Sequence, residues 1–172
     1  MVEMAQSTAL KTRTPEVPAQ PDVPTRMPGA AMVDRAVAIN ARVAPTVLRL
    51  ALAAVFVWFG ALKITGASPV HDLIAQTLPF VSADISVPAL GVVEVVIGLV
   101  LAAGVLPRIT LLVLAGHLAG TFLTFVTASE LMFGANVYEL TADGEFVVKN
   151  LVLIGAALVL IGHYSRRADH RA

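Results

Sequence analysis

The stretch VPALGVVEVVIGLVLAAGVL (residues 87–106) is twenty residues long, and Glu94 is its only charged residue. A bilayer core about 30 Å thick needs about 20 helical residues to cross it. A charge at membrane depth costs at least about 2.5–3.5 kcal/mol on insertion scales, so Glu94 requires a partner or a function. The stretch therefore predicts a transmembrane helix, with Glu94 as the first candidate functional residue.

Three further apolar runs are long enough to cross a bilayer, and they lie at residues 45–64, 109–126 and 147–164. Hydrophobic residues make up 57% of the 172-residue chain and charged residues 14%, whereas about 25% of the residues in soluble domains are charged. We therefore predict an all-α membrane protein, a bundle of four transmembrane helices in contact with the lipid bilayer.

The basic residues near the span ends indicate how the chain is oriented. One side of the membrane receives six arginines, whereas the other side receives only Lys63 and Lys149. The arginines are Arg35, Arg42, Arg108, Arg166, Arg167 and Arg171. Because Lys and Arg are in excess on the cytoplasmic side of membrane proteins, we predict a multi-pass protein of the bacterial inner membrane with both termini in the cytoplasm.

The two ends of the chain lie outside the four spans. Residues 1–29 have a proline at every third position from Pro15 to Pro24, which is typical of an extended, disordered tail. Residues 30–44 are expected to form a short interfacial helix or an unstructured basic flank. Residues 165–172 are expected to form a basic cytoplasmic tail.

Two shorter segments on the outer side also carry structural signals. Residues 70–78 are apolar at helical spacing and lie between two prolines, which predicts a short outer interfacial helix. Ala142-Asp-Gly144 lies between alternating residues, and Asp-Gly is a strong hairpin signal, so we expect a small outer β-hairpin there.

A set of small residues marks one face of the third span: Ala115, Gly116, Ala119 and Gly120. Small residues four apart let helix backbones approach closely in lipid. We expect this face to pack inside the bundle, with a seam between two copies of the chain as the alternative.

Three charged side chains are placed to meet inside the bundle. Glu94 lies about 10 Å below the outer end of its predicted helix at about 1.5 Å per residue. Lys63 and Lys149 lie at the outer ends of the first and fourth spans. We predict a buried Lys–Glu–Lys cluster that lines a polar pocket open towards the outer leaflet, with His117 and Thr121 deeper on one face of the third span.

This polar cluster has simpler interpretations too. A buried Lys–Glu pair can serve only to fix how the helices pack, and each lysine can extend to the membrane interface independently of Glu94. His117 is either a hydrogen-bonded packing residue or a contact for a quinone or a proton.

Several classes of chemistry are not supported by the sequence. The chain contains no cysteine, which excludes disulfides and thiolate sites. It has no phosphate-binding loop and no HExxH motif, and His117 has no second histidine at matching depth to ligate a haem. With a net charge of zero and no basic stripe, nucleic acid is not an expected partner. We expect no metal site, no evident cofactor motif and no catalytic centre within the chain.

Three motifs follow one another along the chain: Val57-Trp-Phe-Gly-Ala-Leu-Lys63, Leu90-Gly-Val-Val-Glu-Val-Val-Ile-Gly98 and Gly144-Glu-Phe-Val-Val-Lys-Asn150. In this order they resemble the DoxX-like superfamily, with the YkgB-type family as the closest branch. The resemblance covers about residues 45–163. It implies that Lys63, Glu94 and Lys149 belong to the family pattern, and it adds Asn150 to the candidate site.

The resemblance implies a function near the quinone pool. DoxX-like proteins include a membrane subunit of a thiosulfate:quinone oxidoreductase and partners of superoxide-detoxifying assemblies. We therefore expect a membrane subunit or anchor of a quinone-linked or oxidative-stress redox system, with a partner oxidoreductase and with quinone as the candidate ligand. The alternatives are a structural or interaction protein without a ligand site, and a small transporter; homo-oligomerisation is left open.

Overall fold

A computed structural model of the chain describes residues 29–169, and the side chains of residues 29–166. This part of the chain is helical and contains no strand; a single isolated bridge joins Phe133 to Leu140. Its helices are α1 (Ala30–Ile64), α2 (His71–Thr77), α3 (Ala83–Ala103), α4 (Pro107–Thr121), α5 (Thr124–Thr127), α6 (Ser129–Met132) and α7 (Ala142–Asp169). The predicted tail over residues 1–28 and the last three residues lie outside the described residues.

Within residues 29–169, four helical segments are long and apolar enough to cross a membrane: Ala30–Ile64, Ala83–Ala103, Pro107–Thr127 and Ala142–Arg166. The prediction of an all-α protein with four spans is therefore confirmed. Residues 30–44 form the first part of α1 and continue through Pro45 into the span without a break. At about 1.5 Å per residue, the 35 residues of α1 extend about 52 Å, well beyond the thickness of a bilayer core.

The second span begins earlier than the sequence suggested. It starts at Ala83 rather than at residue 87, so Pro88 lies inside the helix, where it has no N–H to donate to the carbonyl oxygen of Asp84. It ends at Ala103, since Gly104 adopts a positive φ of 72° as its C-cap. Glu94 consequently lies about 16 Å from the start of α3, in the middle of the helix and deeper than expected.

The predicted β-hairpin around Asp143-Gly144 is wrong. These residues begin α7, and Thr141 Oγ1 accepts a hydrogen bond from Gly144 N at 3.1 Å, as the side chain of an N-cap residue does. A side chain at Gly144 would collide with the carbonyl oxygen of Met132. The glycine thus permits close contact with α6 rather than a turn. The short helix predicted over residues 70–78 is present as α2.

The bundle consists of two closely packed helix pairs. α1 packs on α3, and α4 packs on α7. A core of buried side chains joins the two pairs: Leu52, Phe56, Ile97, Leu101, Leu111, Leu114, Leu118, Ala157 and Leu160. α2 covers one end of the bundle, where Val70 and Leu73 pack with Ala128, Met132 and Val147 in a second cluster.

Two arginines join the helices at the opposite end, here called the arginine end. Arg49 Nη1 of α1 donates to the carbonyl oxygens of Leu101 and Ala102 of α3, at 2.6 and 2.9 Å. Arg108 of α4 donates to the carbonyl oxygens of Tyr164 and Ser165 of α7, at 3.0 and 3.2 Å. Cations near a helix C-terminus interact favourably with its dipole, so each arginine ties together the two helices of one pair.

Candidate functional site

A buried ion pair joins α1 to α3. Lys63 Nζ lies 2.6 Å from Glu94 Oε2, and the two residues are only 5% and 9% exposed. A charge-assisted bond of this length is among the stronger hydrogen bonds in proteins. The sequence therefore identified both members of the pair correctly.

His117 provides the second partner of Glu94. Its Nε2 lies 3.0 Å from Glu94 Oε1, and its ring meets the edge of Phe56 at a centroid distance of 5.9 Å. An ionised carboxylate only accepts hydrogen bonds, so beside such a Glu94 the histidine must carry a proton on Nε2. Both oxygens of Glu94 are then satisfied, one by α1 and one by α4.

Lys149 does not join this cluster. Its ammonium lies 3.1 Å from Glu145 Oε2, one turn earlier on α7, and both side chains are exposed. The predicted Lys–Glu–Lys arrangement is thus replaced by Lys63–Glu94–His117. The sequence placed Lys149 at the right helix end, but it could not show that the nearer Glu145 would bind it.

Thr121 and Asn150 form a second polar contact, between α4 and α7. The Thr121 hydroxyl donates its one hydrogen to the carbonyl oxygen of Leu118 at 2.6 Å, so it can only accept from Asn150 Nδ2 at 2.9 Å. This geometry fixes the orientation of the amide and directs Asn150 Oδ1 away from Thr121. Asn150 is 6% exposed, and within the described residues its Oδ1 has no hydrogen-bond partner.

All six candidate residues line one cavity of about 760 Å³ between the two helix pairs. Its wall is mostly apolar and includes Phe56, Phe59, Leu90 and Val152, while α2 closes one end with Val70 and Leu73. Binding pockets for small molecules are of this size and are typically apolar with a few polar groups. The sequence predicted a polar pocket at Lys63, Glu94 and Lys149, but not its size or its apolar wall, because periodicity shows which residues face inward and not whether their side chains fill the space.

Gly116 and Gly120 line this cavity and pack against no other helix within the described residues, and a seam between two copies stays a prediction. A Cβ atom built on either glycine would meet no atom within 4 Å. The expectation that these two residues pack inside the bundle is therefore wrong. Close packing occurs at α1–α3 instead, where a Cβ on Gly60 would lie 2.6 Å from the carbonyl oxygen of Gly91.

The fold defines an integral membrane protein with four apolar helical segments long enough to span a bilayer and a buried ion pair inside its bundle. Residues 44–127 match the family model described as DoxX, which covers Lys63, Glu94, His117 and Thr121 but not the part of α7 with Lys149 and Asn150. The chain therefore contains a DoxX domain over residues 44–127. No curated protein and no solved structure is matched by the chain. Membership of the YkgB-type branch stays a prediction.

Proposed function

We propose that this protein is the membrane subunit or anchor of a quinone-linked redox system, and that its cavity holds the quinone head group. The observation that carries the proposal is the large, mostly apolar cavity whose polar residues are concentrated around Lys63, Glu94 and His117. A charged network in an apolar bundle is costly unless it is paired or has a task. Binding a ligand in the adjacent cavity would be such a function.

The polar groups of the cavity suit a ligand that is a carbonyl compound when oxidised and a hydroxyl compound when reduced. An ammonium group has three donors, and Lys63 gives one of them to Glu94, which leaves N–H groups for a carbonyl oxygen. Asn150 Oδ1 is an acceptor for a hydroxyl group. A quinone presents these two forms, and the residues present therefore fit its head group.

His117 is the residue best placed to exchange a proton with such a ligand. It lines the cavity through its ring and is bound to Glu94 through Nε2, so its Nδ1 is the nitrogen left for a ligand. Glu94 then orients the ring. A quinone supplies two-electron, two-proton chemistry when it is bound, and a partner oxidoreductase supplies or takes the electrons.

We also propose that the arginine end faces the cytoplasm of a bacterial inner membrane. The support is the excess of arginine near Arg42, Arg108 and Arg166 over the other end, which has only Lys63 and Lys149 as basic residues at the span ends. A phosphatase fused after residue 172 is expected to be inactive in the cell, since it would stay in the cytoplasm. An active fusion would reverse the proposed orientation.

A structural role without a ligand is the second candidate, and the position of the ion pair favours it. Lys63 and Glu94 lie at the closest approach of α1 and α3, where a Cβ on Gly91 would be 2.8 Å from Lys63 Cβ. A pair at this place holds the two helices in register whether or not a ligand binds.

The binding of a decyl-chain benzoquinone to the full-length protein in lipid nanodiscs tests the two functions. We expect the wild type to bind and His117→Phe to bind about tenfold more weakly, the loss of one charge-assisted hydrogen bond. Phenylalanine keeps a ring beside Phe56. Lys149→Gln is the matched control, because Lys149 lies on the cavity wall but is bound to Glu145. No binding to the wild type, or equal binding by His117→Phe, would leave the structural role.

A further inference from the structure

We infer that Gly116 and Gly120 form a lateral opening in the cavity wall, through which an amphiphile dissolved in the bilayer enters and across which its apolar tail lies. The inference rests on the proposed function for the head group of that ligand. Two features of the molecule support the opening: the missing side chains at Gly116 and Gly120 in the cavity wall, and the depth of these two glycines in the membrane.

The two glycines leave a gap where other residues of the wall present a side chain. Both line the cavity, both are exposed, and a Cβ on either would meet no atom within 4 Å. The adjacent residue His117 also lines the cavity, and its Nε2 is bound to Glu94. One face of α4 thus connects the polar interior directly to the outside of the bundle.

The gap lies at the depth of the lipid tails. Gly116 and Gly120 are about 14 and 20 Å along the span Pro107–Thr127, which is about 31 Å long at 1.5 Å per residue. A bilayer core is about 30 Å thick, so both glycines fall within it. An opening at this depth faces hydrocarbon rather than water.

Apolar side chains close part of the cavity at the end covered by α2. Val70, just before α2, and Leu73 line the cavity and are only 5% and 4% exposed, because they pack in the cluster with Met132. Two apolar side chains held in this way are a poor path for a water-borne ligand. A ligand that is soluble in the bilayer requires no such path.

The cavity has the polarity that an amphiphile requires. Among its polar groups, Asn150 is 6% exposed with a free Oδ1, and Lys63 retains N–H donors. The rest of the wall is mostly apolar and includes Leu90 and Leu123, the latter 50% exposed. The buried amide, independent of the glycines, is what indicates a ligand.

Leucine substitutions test whether the tail crosses the two glycines. In nanodiscs, Gly116→Leu and Gly120→Leu are expected to bind a decyl-chain benzoquinone about tenfold more weakly than the wild type, as if roughly two tail methylenes were left unburied. Gly120→Ala is expected to give an intermediate affinity. A benzoquinone without the tail is expected to bind the wild type and both leucine variants equally.

Gly155→Leu is the matched control. Gly155 is also a glycine within a span and has no atom near its Cβ position, but it does not line the cavity. We expect no change in affinity. Unchanged affinity in Gly116→Leu and Gly120→Leu, or an equal loss in Gly155→Leu, would overturn the inference.

A ligand-free measurement separates this inference from the proposed function. Because the chain has no cysteine, a nitroxide can be attached at Gly116→Cys, Gly120→Cys or Tyr138→Cys alone. We expect relaxation by oxygen to exceed that by a water-soluble nickel complex at 116 and 120, and the reverse at Tyr138, which is 93% exposed in a loop. Nickel access at 116 and 120 would overturn the lateral opening even if quinone binds. Oxygen access in a protein that binds no quinone would support the opening and contradict the proposed function.

Discussion

The glycines of the α1–α3 contact and those of α4 serve opposite purposes. A Cβ on Gly60, Gly91 or Gly98 would come within 2.6–2.8 Å of an atom in the facing helix, whereas one on Gly116 or Gly120 would meet nothing within 4 Å. Yet Gly116 and Gly120 carry the four-residue spacing that is typical of closely packed membrane helices. A small-residue motif in a membrane helix therefore indicates either a helix contact or open space, depending on what faces it.

The same contrast organises the polar site. Lys63 and Glu94 belong to the close α1–α3 contact, while His117 lies on α4 beside Gly116 and faces the cavity. The ion pair with Lys63 fixes the position of the Glu94 carboxylate. The open face of α4 then gives a ligand access to His117, which is bound to that carboxylate. The following substitutions test whether the α1–α3 contact is closely packed and whether the glycine face of α4 is open.

Removal of Glu94 is expected to be the most damaging change. In Glu94→Leu the Lys63 ammonium, only 5% exposed, loses its ion-pair partner, and the free energy of unfolding should fall by about 3–5 kcal/mol. The measurement is unfolding by denaturing detergent in mixed micelles. The double variant Lys63→Met, Glu94→Leu should recover much of the loss; a single variant as stable as the wild type would contradict the account.

Overpacking at the α1–α3 contact is expected to have the next largest effect. Gly91→Val would force its side chain against the carbonyl oxygen of Gly60, and the free energy of unfolding should fall by about 1–3 kcal/mol. Gly116→Val, measured in the same micelles, is the matched control and should lose far less. Equal losses in the two variants would remove the distinction between the contact and the open face.

Alanine on the open face is expected to stabilise the protein slightly. Gly116→Ala should raise the free energy of unfolding by about 0.5–1 kcal/mol, since alanine is the better helix former and its methyl group meets no neighbour. The unfolding midpoint in detergent is the measurement. A clear loss of stability would show that α4 packs against something at this position.

Lys149 is expected to matter least. Its side chain is 73% exposed and pairs with Glu145 on the same helix, so Lys149→Gln should change the free energy of unfolding by less than about 0.5 kcal/mol. An effect as large as that of Lys63→Met would instead indicate that Lys149 reaches Glu94 in the membrane.

Most of the fold followed from the sequence, because apolar length and helical spacing depend on the bilayer rather than on neighbouring helices. The pairing of Lys63 with Glu94 also followed, since a carboxylate at that depth has few partners. The Asp143-Gly144 hairpin was mispredicted because a local turn signal cannot reveal that Met132 lies against Gly144. The cavity, and the choice of His117 over Lys149, depend on how helices pack across the bundle, which no single segment encodes.

Native mass spectrometry of the protein, extracted in mild detergent from the membranes of the cells that express it, directly tests whether the cavity beside Glu94 binds a ligand. We expect the wild type and Gly155→Leu to retain a bound molecule with the mass of a quinone. We expect His117→Phe and Gly120→Leu to lose it although both variants are folded. A wild type that retains no lipid-soluble molecule, or variants that all retain the same one, would contradict the claim that the cavity beside Glu94 is a ligand site.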